Sequence, residues 1–341
     1  MKKMIAVALG LFTALVLAVY GLIYWENYDW NEENVPVQVA ASDSGVYLLH
    51  PNHRPKRLLR WRSENHALLQ EDIWYALDGD TLYRFCAADW STELLYTGID
   101  LDWSLGAAAI AVGNGEVYYL PPEEPHWGTV LGMDGAEVQL RTLVHLTPQG
   151  QVHQNIPVDT TARPVLRYSY DHLYSVARDR EGRIALAVNS DLSSRRKSDW
   201  IDPGEDRVYL NAYNDLRLVG MQSDGTLRFR EMKARTGEFR QQEEPGFADL
   251  PAGMEAYTLL YDAEERALLL YRDELGSLRL LEEQIGKSRA VDLMSFFPAE
   301  VIETANYRDN CLTLTEGSTT WAYVFAARRY GAAGWKCYRL P

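Results

Sequence analysis

From residue 37 onward, the chain is made of short apolar runs that alternate with polar residues, and long amphipathic helical patterns are scarce. The runs are rich in valine, leucine, tyrosine and tryptophan. Alternation with a period of two residues, together with β-branched and aromatic enrichment, is typical of β-strands. The pattern therefore predicts an all-β body.

Many of these runs come in pairs that are separated by a short turn containing glycine. Residues 73–77 are followed by Asp78-Gly79 and then by residues 81–85. Glycine supplies the positive φ that tight hairpin turns require. The same arrangement predicts further hairpins at 112–118, 143–152, 174–186 and 217–229. A pair of apolar runs around Asp262-Ala263-Glu264-Glu265 predicts another hairpin at 257–271.

The hairpins recur every 25–45 residues, and an apolar-Tyr phrase repeats within them at residues 46–49, 117–120, 173–176 and 208–210. Four-stranded units of about 40–50 residues are the spacing of β-propeller blades. We therefore predict a β-propeller-like repeat of six or seven four-stranded blades over residues 38–341. A tandem β-sandwich would show the same strand spacing and stays open as the alternative.

Four segments depart from this regularity. Two polar stretches that contain prolines, at 121–127 and 241–251, and the polar stretch at 193–200 predict loops. An apolar cluster after Asp292 predicts a short helix over residues 290–297. Loop insertions into a rigid scaffold are common binding sites.

The chain starts with an apolar segment, from Met4 to Trp25, that contains neither a charged residue nor a proline. A helix needs roughly 20 apolar residues to cross a membrane. Lys2 and Lys3 precede the segment, which favours a cytoplasmic N-terminus, and aromatic residues cluster after Tyr20 as in an interfacial belt. Residues 1–25 are thus predicted to be an uncleaved transmembrane signal anchor. A cleaved signal peptide is the alternative, although its apolar region is usually shorter and ends in small residues.

Residues 26–37 are polar and acidic, and they predict a short stalk. A stalk of about ten residues spans at most about 35 Å when extended. The domain at 38–341 would then lie outside the cytoplasm and close to the membrane surface. Two lysines, a single anchor and few cysteines suit a single-pass protein of a Gram-negative inner membrane with its C-terminal domain in the periplasm.

The chain has a formal net charge of −14, and none of its acidic residues lies in the first 25 positions. A body this acidic has no electrostatic basis for binding nucleic acid or an anionic lipid surface. Three cysteines, Cys86, Cys311 and Cys337, lack the spacing of a zinc motif. An exported protein can keep disulfides, so a Cys311–Cys337 bridge is predicted.

Linear motifs for hydrolases, metalloproteases and nucleotide binding are missing from the sequence. His50 and His53 lie in a basic turn whose ordinary interpretation is a solvated loop. Asp100, Asp102 and Trp103 could place carboxylates beside an aromatic ring, but the additional oxygen ligands of a calcium loop are missing. The sequence accordingly predicts no catalytic residue, metal site or cofactor.

Aromatic and basic residues in or near the predicted loops are the best candidates for binding. Exposed aromatic residues and arginines are enriched at protein interfaces. The candidate binding residues are Trp103, Trp127, Arg195, Arg196 and Trp200.

Two hypotheses of function follow. The first is a non-enzymatic interaction or scaffold module that belongs to an envelope assembly and contacts a protein near the membrane surface. The second is a hydrolase or lyase with its site at the central channel of a propeller, where residues from different blades would leave no linear motif. The missing motifs favour the first.

Overall fold

The computed structural model describes residues 13, 15–19, 38–49, 54–70, 73–162, 165–169, 171–190, 194–197, 199–200 and, beyond residue 200, the strands given below. Residues 13 and 15–19 are helical. The rest of the predicted anchor, the predicted stalk at 26–37, and His50 and His53 lie outside the described residues. No helix within the described part is both long and apolar enough to cross a membrane.

Within the described residues, the body is nearly all-β and consists of small antiparallel sheets. The first sheet contains β1 (Gln38–Ser42), β2 (Gly45–Leu49) and β3 (Lys56–Arg60), and the second contains β4 (His66–Gln70), β5 (Trp74–Asp78), β6 (Thr81–Phe85) and β7 (Thr92–Tyr96). The third sheet contains β8 (Ile110–Gly113), β9 (Glu116–Tyr119), β10 (His126–Thr129), β11 (Glu137–Thr147) and β12 (Gly150–Pro157). The fourth sheet contains β13 (Leu166–Ser169), β14 (His172–Arg178), β15 (Ile184–Ser190) and β16 (Ser194–Lys197). A 3-10 turn at Gly106–Ala109 precedes β8.

Three four-stranded sheets follow among the described strands. They contain β17 (Arg207–Leu210), β18 (Asp215–Met221), β19 (Leu227–Lys233) and β20 (Phe239–Pro245); β21 (Glu255–Tyr261), β22 (Ala267–Arg272), β23 (Leu278–Gln284) and β24 (Lys287–Asp292); β25 (Thr304–Arg308), β26 (Cys311–Glu316), β27 (Thr319–Ala326) and β28 (Gly334–Leu340). In six of the seven described sheets, strands that are consecutive in the chain are neighbours in the sheet.

The predicted hairpins are confirmed. Asp78 of β5 lies opposite Thr81 of β6, and Gly79 in the turn between them has a φ of 62°. The β8–β9 turn uses Asn114 at 51° and Gly115 at 77°. Positive φ at both central residues is the geometry of a tight turn whose twist matches that of the strands.

The four predicted irregular segments contain strands that the sequence did not reveal. The predicted helix is wrong over residues 290–292, because these residues belong to β24 and pair with β23. The segments predicted as loops contain all or part of β10, β16 and β20.

Apolar side chains join neighbouring sheets. Val46 of the first sheet packs with Trp61, which precedes the second sheet, and with Phe85 of β6. A larger cluster connects the second, third and fourth sheets and includes Leu77, Leu82, Ile110, Val117, Leu143 and Leu166.

The first and last sheets are also in contact. Tyr47 and Leu49 of β2 share a buried cluster with Cys311, Ala322 and Leu340. Strand β1 lies against β26 and β27. The packing of consecutive sheets therefore brings the beginning and the end of the described body together.

An aspartate fixes the connection between the second and third sheets. Asp102 accepts hydrogen bonds from the backbone N–H of Ser104 at 3.0 Å and from its hydroxyl at 2.5 Å. Arg141 of β11 donates Nη1 to Asp102 Oδ2 at 2.8 Å and Nη2 to the carbonyl of Pro121 at 2.6 Å. Burial acts to raise the pKa of Asp102, but the hydrogen bonds from Ser104 and Arg141 prevail and hold the pKa below its ordinary value.

The same arrangement recurs one connection later. Asp159 accepts hydrogen bonds from Thr161 N–H at 2.9 Å and Thr161 Oγ1 at 2.7 Å, and Arg178 of β14 donates to it at 2.6 and 3.0 Å. The segments 99–104 and 156–161 carry isoleucine, aspartate and a hydroxyl residue at equal spacing. The two connections are thus local structural repeats, which hold each sheet to the next.

Candidate functional site

The third sheet extends into a two-stranded arm. Strands β9 and β10 both pair with β11 on the same side, β9 near its C-terminal end and β10 near its N-terminal end. We call residues 126–140, which comprise β10, the turn at 130–136 and the start of β11, the arm. On the face of the arm that carries Gly128, the side chain of Leu140 leaves no room for a β-carbon, which would lie 2.7 Å from Leu140 Cδ1.

The arm packs on the fourth sheet. Val138 forms an isolated antiparallel bridge with Asp179, which lies in the turn between β14 and β15. Met133, in the turn of the arm, is fully buried with Ala177 and Ala187, and Val130 and Trp200 pack against this cluster. The apolar contact fixes the position of the arm.

Two ion pairs strengthen the contact between the arm and the fourth sheet. Arg180 Nε donates to Glu137 Oε2 at 2.6 Å, and Lys197 Nζ lies 2.8 Å from Asp134 Oδ2. The Arg180–Glu137 pair is about half exposed on both sides, so it contributes little on its own. Together the pairs orient the cations that lie beside the tryptophans.

Cationic side chains lie over two tryptophan rings in this region. The guanidinium of Arg180 lies 4.9 Å from the ring centroid of Trp127. Arg183 and Lys197 each lie 5.4 Å from the ring of Trp200. Contacts of this kind contribute roughly 0.5–1 kcal/mol at exposed positions.

A buried carboxylate holds Arg183 in place. Asp179 accepts hydrogen bonds of 2.7 Å from both the backbone N–H and Nε of Arg183, and its side chain is fully buried. The β14–β15 turn thus presents Arg180 to one tryptophan and Arg183 to the other. We call Trp127, Leu131, Arg180, Arg183, Lys197 and Trp200 the Trp127–Trp200 surface.

This surface has an exposed apolar part. Trp127 is 40% exposed and Leu131, at the tip of the arm, is 81% exposed. Arginine and tryptophan beside an exposed leucine are the side chains that protein interfaces concentrate. The arrangement is therefore suited to contact with another macromolecule.

The other candidate binding residues have different positions. Trp103 packs, partly buried, on the cluster that joins the second to the fourth sheets. Arg195 and Arg196 lie in β16, paired with β15, and their side chains are outside the described part. Lys197, the next residue of this basic run, supplies the described contact with Trp200.

The cysteine prediction is wrong. Strand β27 lies between the strands that carry Cys311 and Cys337, so their Cα atoms are separated by two strand spacings, roughly 9–10 Å. A disulfide needs Cα atoms within about 7 Å. Cys311 and Lys336 both lie opposite Val324, which places Cys337 on the other face of the sheet, and no disulfide is formed.

One acidic and one histidine side chain of the described part that could have served as metal ligands are engaged with other groups. Asp102, a possible ligand in the sequence, is bound by Arg141 and Ser104. His145 Nε2 lies 2.8 Å from Glu116, and its ring stacks on Tyr118 at 4.3 Å. Among the described residues, no group of three or more His, Cys, Asp or Glu side chains is arranged to hold a metal ion.

The sequence did not reveal Arg180 and Arg183 as partners of the tryptophans. Both belong to the turn 178–183, whose sequence is typical of an ordinary charged hairpin turn. The signal that was available is Asp179 between arginines, because a carboxylate at a strand end can fix the guanidinium that follows.

Comparisons with known proteins give no family. No protein-family model matches the chain, and no curated protein matches it significantly. Among solved structures, a lectin from Burkholderia pseudomallei is similar at a TM-score of 0.44 and 11% identity, over 89% of this chain and 94% of the lectin.

Two peptidases also show similarity. The Porphyromonas gingivalis dipeptidyl peptidase 4 matches with a TM-score of 0.42 and 10% identity over 86% of this chain. A Mycobacterium tuberculosis puromycin-hydrolyzing peptidase matches with a TM-score of 0.42 and 13% identity over 90% of this chain. The chain spans about half of each, 48% and 53%. At TM-scores below 0.5, these likenesses carry no information on what the chain binds or catalyses.

Proposed function

We propose that the chain is a β-propeller-like interaction module that binds another protein through the Trp127–Trp200 surface. In this proposal residues 1–25 hold the module in a bacterial inner membrane, and residues 26–37 keep it near the periplasmic surface.

The order of the sheets supports the propeller-like arrangement. The described sheets follow one another along the chain, most with four antiparallel strands. The first strands of successive sheets lie side by side at β8 and β13 and again at β21 and β25, and the first and last sheets meet. A circular array brings its ends together in this way, whereas a tandem sandwich has no need to.

The observation that carries the binding function is the placement of Trp127 and Trp200 on one surface, held by Arg180, Arg183 and Lys197. Binding sites on rigid scaffolds lose little conformational entropy on association. The arm is buried at Met133 and exposed at Leu131, so it presents an apolar side chain from a fixed base.

Site-specific photo-crosslinking of the full chain in its native membrane tests the surface. A photoreactive amino acid at Leu131 is expected to capture one protein in near-stoichiometric yield. The same amino acid at Leu94, an exposed leucine of the second sheet, is the matched control and should capture none. Equal labelling from both positions, or none from Leu131, would refute the proposed surface.

The anchor is tested separately on the full chain. The protein should stay in the pellet after alkaline carbonate extraction, and added protease should digest the body in spheroplasts but not in intact cells. Replacing Val16 and Leu17 by arginine, at roughly 2.5–3.5 kcal/mol each in a helix centre, should release it. Quantitative extraction of the unaltered protein would contradict the anchor.

A further inference from the structure

The outer edge of β10 is open. Strand β10 pairs with β11 on one side, and among the described residues no strand pairs with its other side. Three of its four residues are exposed: His126, Trp127 and Thr129. An unpaired edge presents a row of N–H and C=O groups that can template another strand.

The direction of the backbone groups follows from the neighbouring pairing. The carbonyl of Gln139 accepts a hydrogen bond from Val158, on the side of β11 that faces away from β10. Trp127 lies opposite Gln139, so this is a non-hydrogen-bonded pair, and Trp127 directs its own N–H and C=O outward. Two residues on, Thr129 does the same.

These outward groups have no hydrogen-bond partner in the described part of the chain. Neither Trp127 nor Thr129 takes part in a backbone hydrogen bond outside the sheet. Lysine, proline and bulges are the usual protections of an edge, and none of them occurs within His126–Thr129.

We propose that an extended segment of the partner protein adds to this edge as a further strand. The inference rests on the proposed function, since this segment would be the part of the partner that reaches Trp127. The Trp127 ring and Leu131, both exposed, offer apolar contact to side chains of such a segment.

The charges beside the β10 edge indicate which residues the partner's segment contains. Glu123 and Glu124 are exposed directly before β10 and form no ion pair among the described residues, whereas the nearby cations Arg180, Arg183 and Lys197 are each paired with a carboxylate. The unpaired charge beside the edge is negative. The segment is accordingly extended, with apolar residues alternating with basic ones.

The probe is a fluorescent peptide of alternating valine and lysine, six residues long, added to the full chain in detergent. Saturable binding is expected, with slowed amide hydrogen exchange at Trp127 and Thr129. N-methylation of alternate peptide amides on the pairing side should weaken binding about tenfold or more, because it removes two or more strand hydrogen bonds. Replacing the lysines of the peptide by glutamate should also weaken binding.

The protein is altered in a matched way. Thr129→Pro removes an outward N–H and leaves the pairing with β11 intact, so it should reduce binding about fivefold or more while the thermal midpoint is kept. Thr129→Val keeps the N–H and should bind as the unaltered chain does. If Thr129→Pro fails to fold, the N-methylated peptide still decides the question.

Three results would overturn the inference. They are no saturable binding at millimolar peptide, equal binding of the N-methylated peptide, or sedimentation as a dimer that Thr129→Pro dissociates, which would make a second copy the occupant. A partner that crosslinks to residue 131 but is not displaced by the peptide would leave the proposed function standing and remove the strand addition. Peptide binding without any crosslinked partner would leave the strand addition standing and remove the proposed function.

Discussion

Arg141 and Asp102 form a buried ion pair, with Nη1 and Oδ2 2.8 Å apart, that joins strand β11 to the connection between the second and third sheets. Arg141 is 3% exposed. A charge left alone at such a depth would have neither water nor a counter-ion. The pair therefore fixes the base from which the arm projects.

Removing the arginine should be strongly destabilising. Arg141→Met leaves the Asp102 carboxylate buried without its counter-charge and is expected to lower the free energy of unfolding by about 3–5 kcal/mol. Urea denaturation measures the change. Arg84→Met is the control, because its partner Glu93 is about half exposed, and it should cost about 1 kcal/mol or less. Equal effects of the two substitutions would show that the buried pair stabilises the protein no more than the exposed pair does.

Acid should unfold the protein in part through Asp102. Its pKa in the folded chain lies below the ordinary value, about 3.9 in an unfolded chain. A carboxyl group of this kind contributes stability that is fully present above the unfolded pKa and is lost as pH falls through the folded pKa. Asp102→Asn should therefore flatten the loss of stability below about pH 4. An unchanged slope in a stability-against-pH series would contradict this assignment.

The hairpins could be predicted because apolar alternation and turn glycines are local signals. The outer strands could not. Strand β16 reads Ser-Arg-Arg-Lys, and β20 contains Gln241, Gln242, Glu243 and Glu244 in a row. Strands at a sheet edge bury little, so their sequences carry no alternation and resemble loops. The error over residues 290–292 has the same origin.

The aromatic residues of the candidate site could be predicted from the sequence, but their arrangement in space could not. Trp127 and Trp200 were identified as tryptophans in or near loops, but the arm that brings them together depends on contacts between residues far apart in sequence. The Cys311–Cys337 pairing failed for a related reason. The bridge was predicted because both cysteines lie in the last strands of the chain. Whether two side chains meet depends instead on the order of the strands in the sheet and on the face to which each residue points.

The contact between the third and fourth sheets can be probed at Gly113. A β-carbon at this position would overlap the ring of Tyr168. Gly113→Ala is expected to lower the free energy of unfolding by about 1–3 kcal/mol, the usual effect of overpacking. Adding Tyr168→Ala removes the overlap, so the double variant should be less destabilised than the sum of the single changes. Strict additivity in denaturation experiments would show that the two residues do not meet.

The junction between the first and last sheets can be tested at Leu49. This side chain is fully buried with Cys311, Ala322 and Leu340. Leu49→Ala should destabilise the protein by about 2–5 kcal/mol and should speed amide hydrogen exchange in β26 to β28 as well as in β2. Leu94→Ala, at an exposed leucine, is the control and should change neither. Faster exchange confined to β2 would indicate that the two sheets do not support one another.

That same junction imposes an order on biosynthesis. Leu49 is made long before Cys311, Ala322 and Leu340, the buried side chains with which it packs. Until then, the face of the first sheet that carries Tyr47 and Leu49 lacks these partners and is open to chaperones or to aggregation. A nascent chain that stalls before residue 311 should therefore stay sensitive to protease at residues 38–49, however complete its middle sheets are.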